Sequence, residues 1–347
     1  MKVAFALAPS TYSFRLYDLC SMAIGTDLTH AAQLLRKGHI VAIPTETVYG
    51  LAANAFDEAA VLQVFAAKQR PSFDPLIVHI GHRADVHHIV KELPPGAEAL
   101  MDAFWPGPLT LVLPKQAAVP DLVTSGLDTV AVRMPAHPLT LELLRQLDFP
   151  LAAPSANPFG YVSPTTAQHV ADQLGDKVPY ILDGGPCSIG VESTILGWVV
   201  WADDRPPATN RTGGWYLYRP GGIPLEAIEA VIGTVEPAVK QVLPVAPGML
   251  ESHYAPRKPV YVGDVPTLLR RFAGERIGII RFRTEYPAHR CEVLSEHGDL
   301  AEAARHLFAV LRELDNTDCS VILAEEFPDE GLGRAINDRL RRASAKR

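Results

Sequence analysis

The sequence predicts an α/β protein of two units: a larger twisted-sheet domain that opens a pocket at its strand ends, and a smaller α/β domain, Rossmann-like in its layering. Three observations carry this. Short apolar runs end in polar or cationic residues, the arrangement by which an α/β sheet presents ligand sites. Those runs alternate with segments whose apolar residues recur at three- and four-residue steps. Between residues 235 and 259 the chain is rich in proline and has no sustained period, which marks a linker and a domain boundary.

The first run, Ile40-Val-Ala-Ile-Pro-Thr-Glu-Thr-Val-Tyr-Gly50, reads as a buried parallel strand ending in a loop of hydroxyls and a glycine. Asp57 then caps a helix through Ala60, Val61, Val64 and Phe65, and Pro75-Leu-Ile-Val-His79 supplies the next strand. Lys68 and Arg70 close the helix. Cations in a last turn complement the helix dipole, so on local evidence they need no ligand. In Thr129-Val-Ala-Val-Arg-Met-Pro135, Val130, Val132 and Met134 share one face, while Thr129, Ala131 and Arg133 share the other. Arg133 therefore points where smaller residues leave room. An unpaired buried guanidinium is costly, so the strand is equally consistent with ligand contact and with a structural ion pair.

Leu151-Ala-Ala-Pro-Ser-Ala-Asn-Pro158 ends a strand in a turn holding Ser155 and Asn157, and Ser163-Pro-Thr-Thr166 opens a helix; turn and capping chemistry accounts for both. Tyr180-Ile-Leu-Asp-Gly-Gly-Pro186 and Gly190-Val-Glu-Ser-Thr194 place glycines at strand ends, either to bring backbone N–H groups to an anion or as plain turns. Residues 198–218, with Asp203-Asp-Arg-Pro-Pro207 and Thr212-Gly-Gly214, read as an exposed loop ahead of Arg219-Pro-Gly-Gly222. Beyond the linker, Val260-Tyr-Val, Ile277-Gly-Ile-Ile280, Cys291-Glu-Val-Leu294 and Val321-Ile-Leu-Ala324 are strands, and 300–314 is an amphipathic helix. This unit has no GxGxxG run, so no dinucleotide is assigned to it. The basic tail, Arg339, Arg341, Arg342, Lys346 and Arg347, reads as a solvated helix face, with RNA contact as the alternative.

Composition narrows the function classes. With 347 residues, 48% of them hydrophobic, the chain is long enough for two cores. A formal charge of −7 argues against general attraction to nucleic acid or to an anionic membrane. No apolar run reaches membrane-spanning length, and residues 3–8 are too short for a signal-peptide core. The four cysteines lack a CxxC pair, which suggests neither zinc nor a disulfide framework. His87 and His88 diverge on a helix and are poor partners for one ion. The reading is a cytoplasmic enzyme.

Taken in order, the motifs resemble the YrdC-type family, and within it the two-domain threonylcarbamoyl-AMP synthases. The carriers are PTETVYGL at 44–51, KQRP at 68–71, PLIVHI at 75–80, WPGPLTLVL at 105–113, VAVRMPAH at 130–137, PSAN at 154–157, SPT at 163–165, EST at 192–194 and RPGGI at 219–223. The resemblance covers residues 28–345 and divides the chain into an extension at 1–26, a YrdC-like catalytic domain at 27–234, a linker over the pocket at 235–259 and a small α/β domain at 260–347. Residues 1–26 have no counterpart in the family pattern: either the chain starts at Met22 or the extension is a flexible arm.

The resemblance implies condensation of L-threonine, bicarbonate and ATP to threonylcarbamoyl-AMP and pyrophosphate, with Mg2+ accompanying ATP, for modification of adenosine 37 of tRNA. It implies threonine contacts from Thr47, His79, Arg133, Ser155 and Ser193, and ATP contacts from Lys68, Arg70, Thr129, Ala153, Asn157, Ser163, Arg219 and the linker residue Tyr254. Lys68 and Arg70 would stabilise charge without any covalent nucleophile, and the protein itself would supply no metal ligand. A downstream tRNA threonylcarbamoyl transferase is the implied partner, with weak tRNA contact possible and no membrane. Two alternatives stand beside it. A carbamoyl-adenylating maturation factor would carry acylphosphatase and zinc-finger modules, and neither appears in the sequence. An RNA-binding module would show a dominant basic surface with stacking aromatics, against the acidic balance and 7% aromatic content here.

Overall fold

The computed structural model describes residues 22–200, 213–237, 246, 248–250, 252–288 and 290–345. Residues 1–21, 203–207 and 212, much of the segment 235–259, and Lys346 and Arg347, all named in the sequence reading, lie outside the described residues. The strands are β1 (Ala23–Gly25), β2 (Val41–Ile43), β3 (Gly50–Asn54), β4 (Ile77–His79), β5 (Leu109–Pro114), β6 (Thr129–Arg133), β7 (Leu151–Ala152), β8 (Tyr180–Leu182), β9 (Thr194–Val200), β10 (Gly213–Arg219), β11 (Glu236–Pro237), β12 (Val260–Val262), β13 (Ile277–Arg281), β14 (Arg290–Val293) and β15 (Val321–Ala324).

The first eleven make one mixed sheet in the order β1-β8-β2-β3-β7-β4-β6-β5-β9-β10-β11. The strand expected at the head of residues 40–50 is β2, parallel to β8, but the chain then returns in an unforeseen antiparallel neighbour, β3. Thr45 makes the reversal. Its hydroxyl donates to the Val48 carbonyl at 2.6 Å and accepts from the Thr47 and Val48 N–H groups at 3.2 Å, so a side chain closes the turn between the two strands. Residues 23–25, assigned above to the extension, form β1 and pair with β8. Of the loop read at 198–218, residues 198–200 and 213–218 are strand, because β9 and β10 form an antiparallel pair in which Trp198 meets Trp215.

Other local expectations have direct counterparts. Asp57 Oδ1 accepts from Ala59 N at 2.9 Å and Ala60 N at 3.2 Å, starting the helix Glu58–Lys68, which ends where Gln69 turns left-handed at φ 53°. In β6, Val130, Val132 and Met134 enter the main core, whereas Ala131 packs with Ile77, Ile195 and the linker residue Ala246.

The second domain is a four-stranded parallel sheet in the order β12-β15-β13-β14, covered by the helices Leu300–Asn316 and Gly333–Ser344. Its strand ends are closed from within: Glu325 accepts from the backbone N–H groups of Phe282 and Arg283 and from the Tyr286 hydroxyl. Its core does not stop at the domain boundary. One apolar cluster joins Val48, Val162 and Val191 of the first domain to Tyr254 of the linker and to Phe308, Leu311, Ile336 and Leu340. Burying a side chain of this size contributes about 1.5–3 kcal/mol, so docking of the domains is part of folding.

Candidate active site

The ends of β4 and β6, the turns after β2 and β7, the loop before β9 and the linker converge on a cavity of about 40 Å³. Thr47, His79, Arg133, Ser155 and Ser193 all line it, as do Arg70, Ala153, Arg219 and Tyr254. Lys68, Thr129, Asn157 and Ser163 do not border it. A larger cavity of about 440 Å³ lies beyond the end of β4, next to His82, His88 and Phe149, and none of these candidate residues borders it.

Arg133 is held on three sides. Nη2 is 2.6 Å from Glu46 Oε1, Nη1 donates to Thr47 Oγ1 at 3.0 Å, and Nε donates to the Gly107 carbonyl at 3.1 Å. It is thus both an ion-paired residue and a cavity residue. His79, paired in register with Arg133 across β4 and β6, donates Nδ1–H to the Ile77 carbonyl at 3.1 Å. Burial, reinforced by the Arg133 charge, pushes its pKa down to about 3, so the ring is neutral at physiological pH. Ser193 Oγ lies 2.8 Å from Thr110 Oγ1 and accepts from Arg219 Nη2 at 3.2 Å. Ser155 bridges back to Gly50, whose bare Cα admits Ala153 and the Pro154 carbonyl.

The other side of the cavity is cationic. Arg70 Nε donates to the Asp74 carbonyl at 3.0 Å and Nη2 to the Pro75 carbonyl at 2.8 Å, with the Asp74 carboxylate beside it. Burial pulls the Arg70 pKa down, and Asp74 opposes that shift. Arg219 grips the Ser193 carbonyl through Nε at 3.2 Å and Nη2 at 2.9 Å. Lys68 sits one layer behind, its amino group donating to the carbonyls of Ser155 and Asn157, and burial followed by Arg70 drives its pKa well below the usual lysine value. Lys68 does stand in the last turn of its helix, but it and Arg70, just beyond the helix, are buried at 1% and 7% exposure and direct their charges to distant carbonyls and to Asp74.

Asn157 turns its amide to the Pro158 and Tyr161 carbonyls, and Ser163 donates to Glu192 Oε1 at 2.6 Å. Thr129 shares the Arg133 face but stands at the opposite end of β6, opposite Pro114. The glycines serve the protein rather than an anion. Gly184 and Gly185 N–H groups bond Tyr49 Oη and Asp183 Oδ1, and Gly221 lets its loop approach the Glu192–Ser193 backbone.

Sequence reasoning missed the acids that hold these cations, Glu46, Asp74 and Glu192, although each lies inside or beside a quoted motif. It also missed His253, which borders the cavity and whose pKa burial lowers to about 3. The basic-tail reading is corrected: Arg339 is fully buried and ion-paired to Glu192, and Arg342 donates to Asp338 and to the Leu250 carbonyl.

A pocket at strand ends that gathers buried arginines, a neutral histidine and hydroxyls is the kind of site an α/β enzyme uses to hold anionic groups. Residues 33–213 match the family model described as telomere recombination, and residues 223–345 match that of the threonylcarbamoyl-AMP synthase C-terminal domain. The chain is 47% identical over 333 residues to a threonylcarbamoyl-AMP synthase of Pyrococcus abyssi, covering 91% of this chain and 94% of the relative. It is 42% identical over 335 residues to that of Bacillus subtilis, covering 92% and 93%. The crystal structure of Pyrococcus abyssi Sua5 complexed with L-threonine superposes with a TM-score of 0.85 at 43% identity, covering 93% of this chain and 97% of that one. The chain belongs to the threonylcarbamoyl-AMP synthase family and is a nucleotidyltransferase-type enzyme.

Proposed function

We propose that this chain condenses L-threonine, bicarbonate and ATP to threonylcarbamoyl-AMP and pyrophosphate. The observation that carries the reading is the make-up of one cavity. Thr47, His79, Arg133, Ser155 and Ser193 offer a carboxylate partner and hydroxyls, while Arg70, Arg219 and Tyr254 face the space that a triphosphate would need.

In this reading the threonine amine takes up bicarbonate with loss of water to form a carbamate. A carbamate oxygen attacks the α-phosphorus, the bond from that phosphorus to the oxygen bridging the β-phosphate breaks, and pyrophosphate leaves. No protein nucleophile takes part. Arg70 and Arg219 neutralise charge growing on the phosphates, and positioning supplies much of the rest. Lys68 acts through the turn it holds, fixing Ser155 and Asn157. Ala153 and Ser163 belong to the nucleotide side in this reading, whereas Thr129, at the far end of β6 from Arg133, stands away from the cavity.

Mg2+ enters with ATP as part of the substrate. The neighbouring carboxylates do not fit a resident metal: Glu46, Asp74 and Glu192 are each paired to an arginine, and among the described residues no three His, Cys, Asp or Glu side chains converge. Among the same residues no helix is long and apolar enough to cross a membrane. We place the enzyme in the cytoplasm, passing its product to a tRNA threonylcarbamoyl transferase that modifies adenosine 37, with only weak tRNA contact of its own.

The test is pyrophosphate release from MgATP with and without L-threonine and bicarbonate, with the adenylate followed by mass spectrometry. Threonine- and bicarbonate-dependent release with threonylcarbamoyl-AMP is the expected result. Nucleotide binding without any adenylate would overturn the reading in favour of another acceptor or a binding role.

A further inference from the structure

Arg339 belongs to the last helix of the second domain, yet its guanidinium packs against the pocket wall of the first. It is completely buried. Nε donates to Glu192 Oε2, and Nη1 donates to the Pro220 carbonyl and to Asp338 Oδ2, each at 2.8 Å. The guanidinium carbon lies 5.1 Å from the centroid of the Tyr254 ring, within cation–π range.

Its partners outside the second domain all lead to the cavity. Glu192 and Tyr254 line it, and Pro220 follows Arg219, which lines it as well. Glu192 passes the constraint on, because its second oxygen accepts from Ser163. A guanidinium buried to this degree is costly unless paired, and apart from Asp338 its partners lie in the other domain or the linker. The threonine side differs. Arg133 is anchored by Glu46, Thr47 and Gly107, and His79 by Ile77, all within the first domain, and of the threonine-side residues Ser193 alone, next to Glu192 and held by Arg219, adjoins the Arg339 contacts.

We propose that Arg339 is a positioning residue for the nucleotide half of the pocket: acting through Glu192 and Tyr254, it completes that wall only while the second domain is docked, whereas the Arg133 and His79 part of the threonine half stands without it. The inference rests on the nucleotide reading proposed above.

The test uses the full chain with Arg339→Met and Arg339→Lys, each checked for folding by thermal melting. A non-hydrolysable ATP analogue and L-threonine are titrated separately by calorimetry. The folded Met variant is expected to bind the analogue about tenfold more weakly or worse, and L-threonine within about twofold of the parent. In turnover, KM for ATP rises more than kcat falls. Lysine, which keeps the charge but loses the planar stack, recovers part of the analogue affinity.

Should the Met variant fail to fold, Glu192→Gln reads the same link with the side-chain shape kept, and the same loss of analogue with threonine spared is expected. Equal weakening of both ligands, or unchanged analogue affinity in a folded variant, would overturn the role of Arg339. The two readings separate cleanly. A parent enzyme that binds no ATP analogue sinks the nucleotide assignment, while a parent that binds it and a Met variant that binds it equally well sink only the positioning role.

Discussion

Arg70 Nη2 and Asp74 Oδ2 lie 2.8 Å apart, with both side chains sealed from solvent. One residue therefore serves two purposes, facing the pocket and neutralising a buried acid whose pKa burial would otherwise raise further. Arg70→Ala removes both at once. Leaving one member of a buried pair uncompensated costs about 3–5 kcal/mol, so that variant should lose stability as well as turnover. The double variant Arg70→Met/Asp74→Asn separates the two: its melting temperature should recover most of the loss, while pyrophosphate release stays low. Recovery of turnover alongside stability would take Arg70 out of charge stabilisation.

The Tyr254 hydroxyl borders the cavity and has no hydrogen-bond partner among the described residues. Removing a buried hydroxyl that bonds nothing is nearly neutral for the free protein. Tyr254→Phe should therefore melt at the parent temperature or slightly above it, yet bind an ATP analogue more weakly, by about tenfold for a lost hydrogen bond to a charged group. Tyr254 belongs to the linker and lines this cavity. Tyr254→Ala, which strips the ring from that linker, should let the adenylate hydrolyse faster in solution. Unchanged analogue affinity in the Phe variant and unchanged hydrolysis in the Ala variant would leave the linker a tether.

Acid should weaken the fold through its buried histidines. His79 and His253 have pKa values near 3 in the folded chain, and His169 near 4, all pulled down by burial first. Unfolded, each titrates near 6.5, so the unfolded state holds more protons between those values. Stability is complete above about pH 6.5 and falls as pH drops toward 3, by about 1.4 kcal/mol per unit for each linked proton. Unfolding free energies from denaturant melts between about pH 6.5 and 5 should show this slope, and His79→Asn with His253→Asn should flatten it by up to two protons. An unaltered slope in the double variant would mean that other groups drive it.

What could be read from the chain was what neighbouring residues decide. Asp57 as a cap, the two faces of β6 and the strands of the second domain all follow from local period and capping chemistry. The hairpin of β2 and β3 escaped because the turn that Thr45 closes reads as the end of a strand, and Gly50-Leu-Ala-Ala after it carries no alternating pattern to mark a second strand. The site was legible as a set of motifs but not as a circuit. Lys68 and Arg70 look like ordinary helix-closing cations until folding brings the Asn157 carbonyl, 89 residues away, to the Lys68 amine. Arg339 looks like a solvated tail residue until it meets Glu192, 147 residues earlier. Burial of a charge depends on partners that the sequence does not place beside it.

Gly190 offers a test of domain docking that leaves the pocket residues in place. Its φ is +83°, and a Cβ there would stand 2.4 Å from Arg305 Cα and 2.7 Å from the Ala304 carbonyl oxygen, backbone atoms of the helix Leu300–Asn316. That glycine exists for close approach of two domains, not for a passing anion. Alanine at this position pays twice, in left-handed backbone strain of about 1–2 kcal/mol and in overpacking of about 1–3 kcal/mol. Gly190→Ala should therefore push the helix from the loop that leads into Glu192, lower the melting temperature and expose the linker to limited proteolysis. If docking completes the nucleotide wall, the same variant should lose ATP-analogue affinity while L-threonine binding persists. A variant that melts lower but binds both ligands like the parent would show that the domains can loosen without disturbing the pocket.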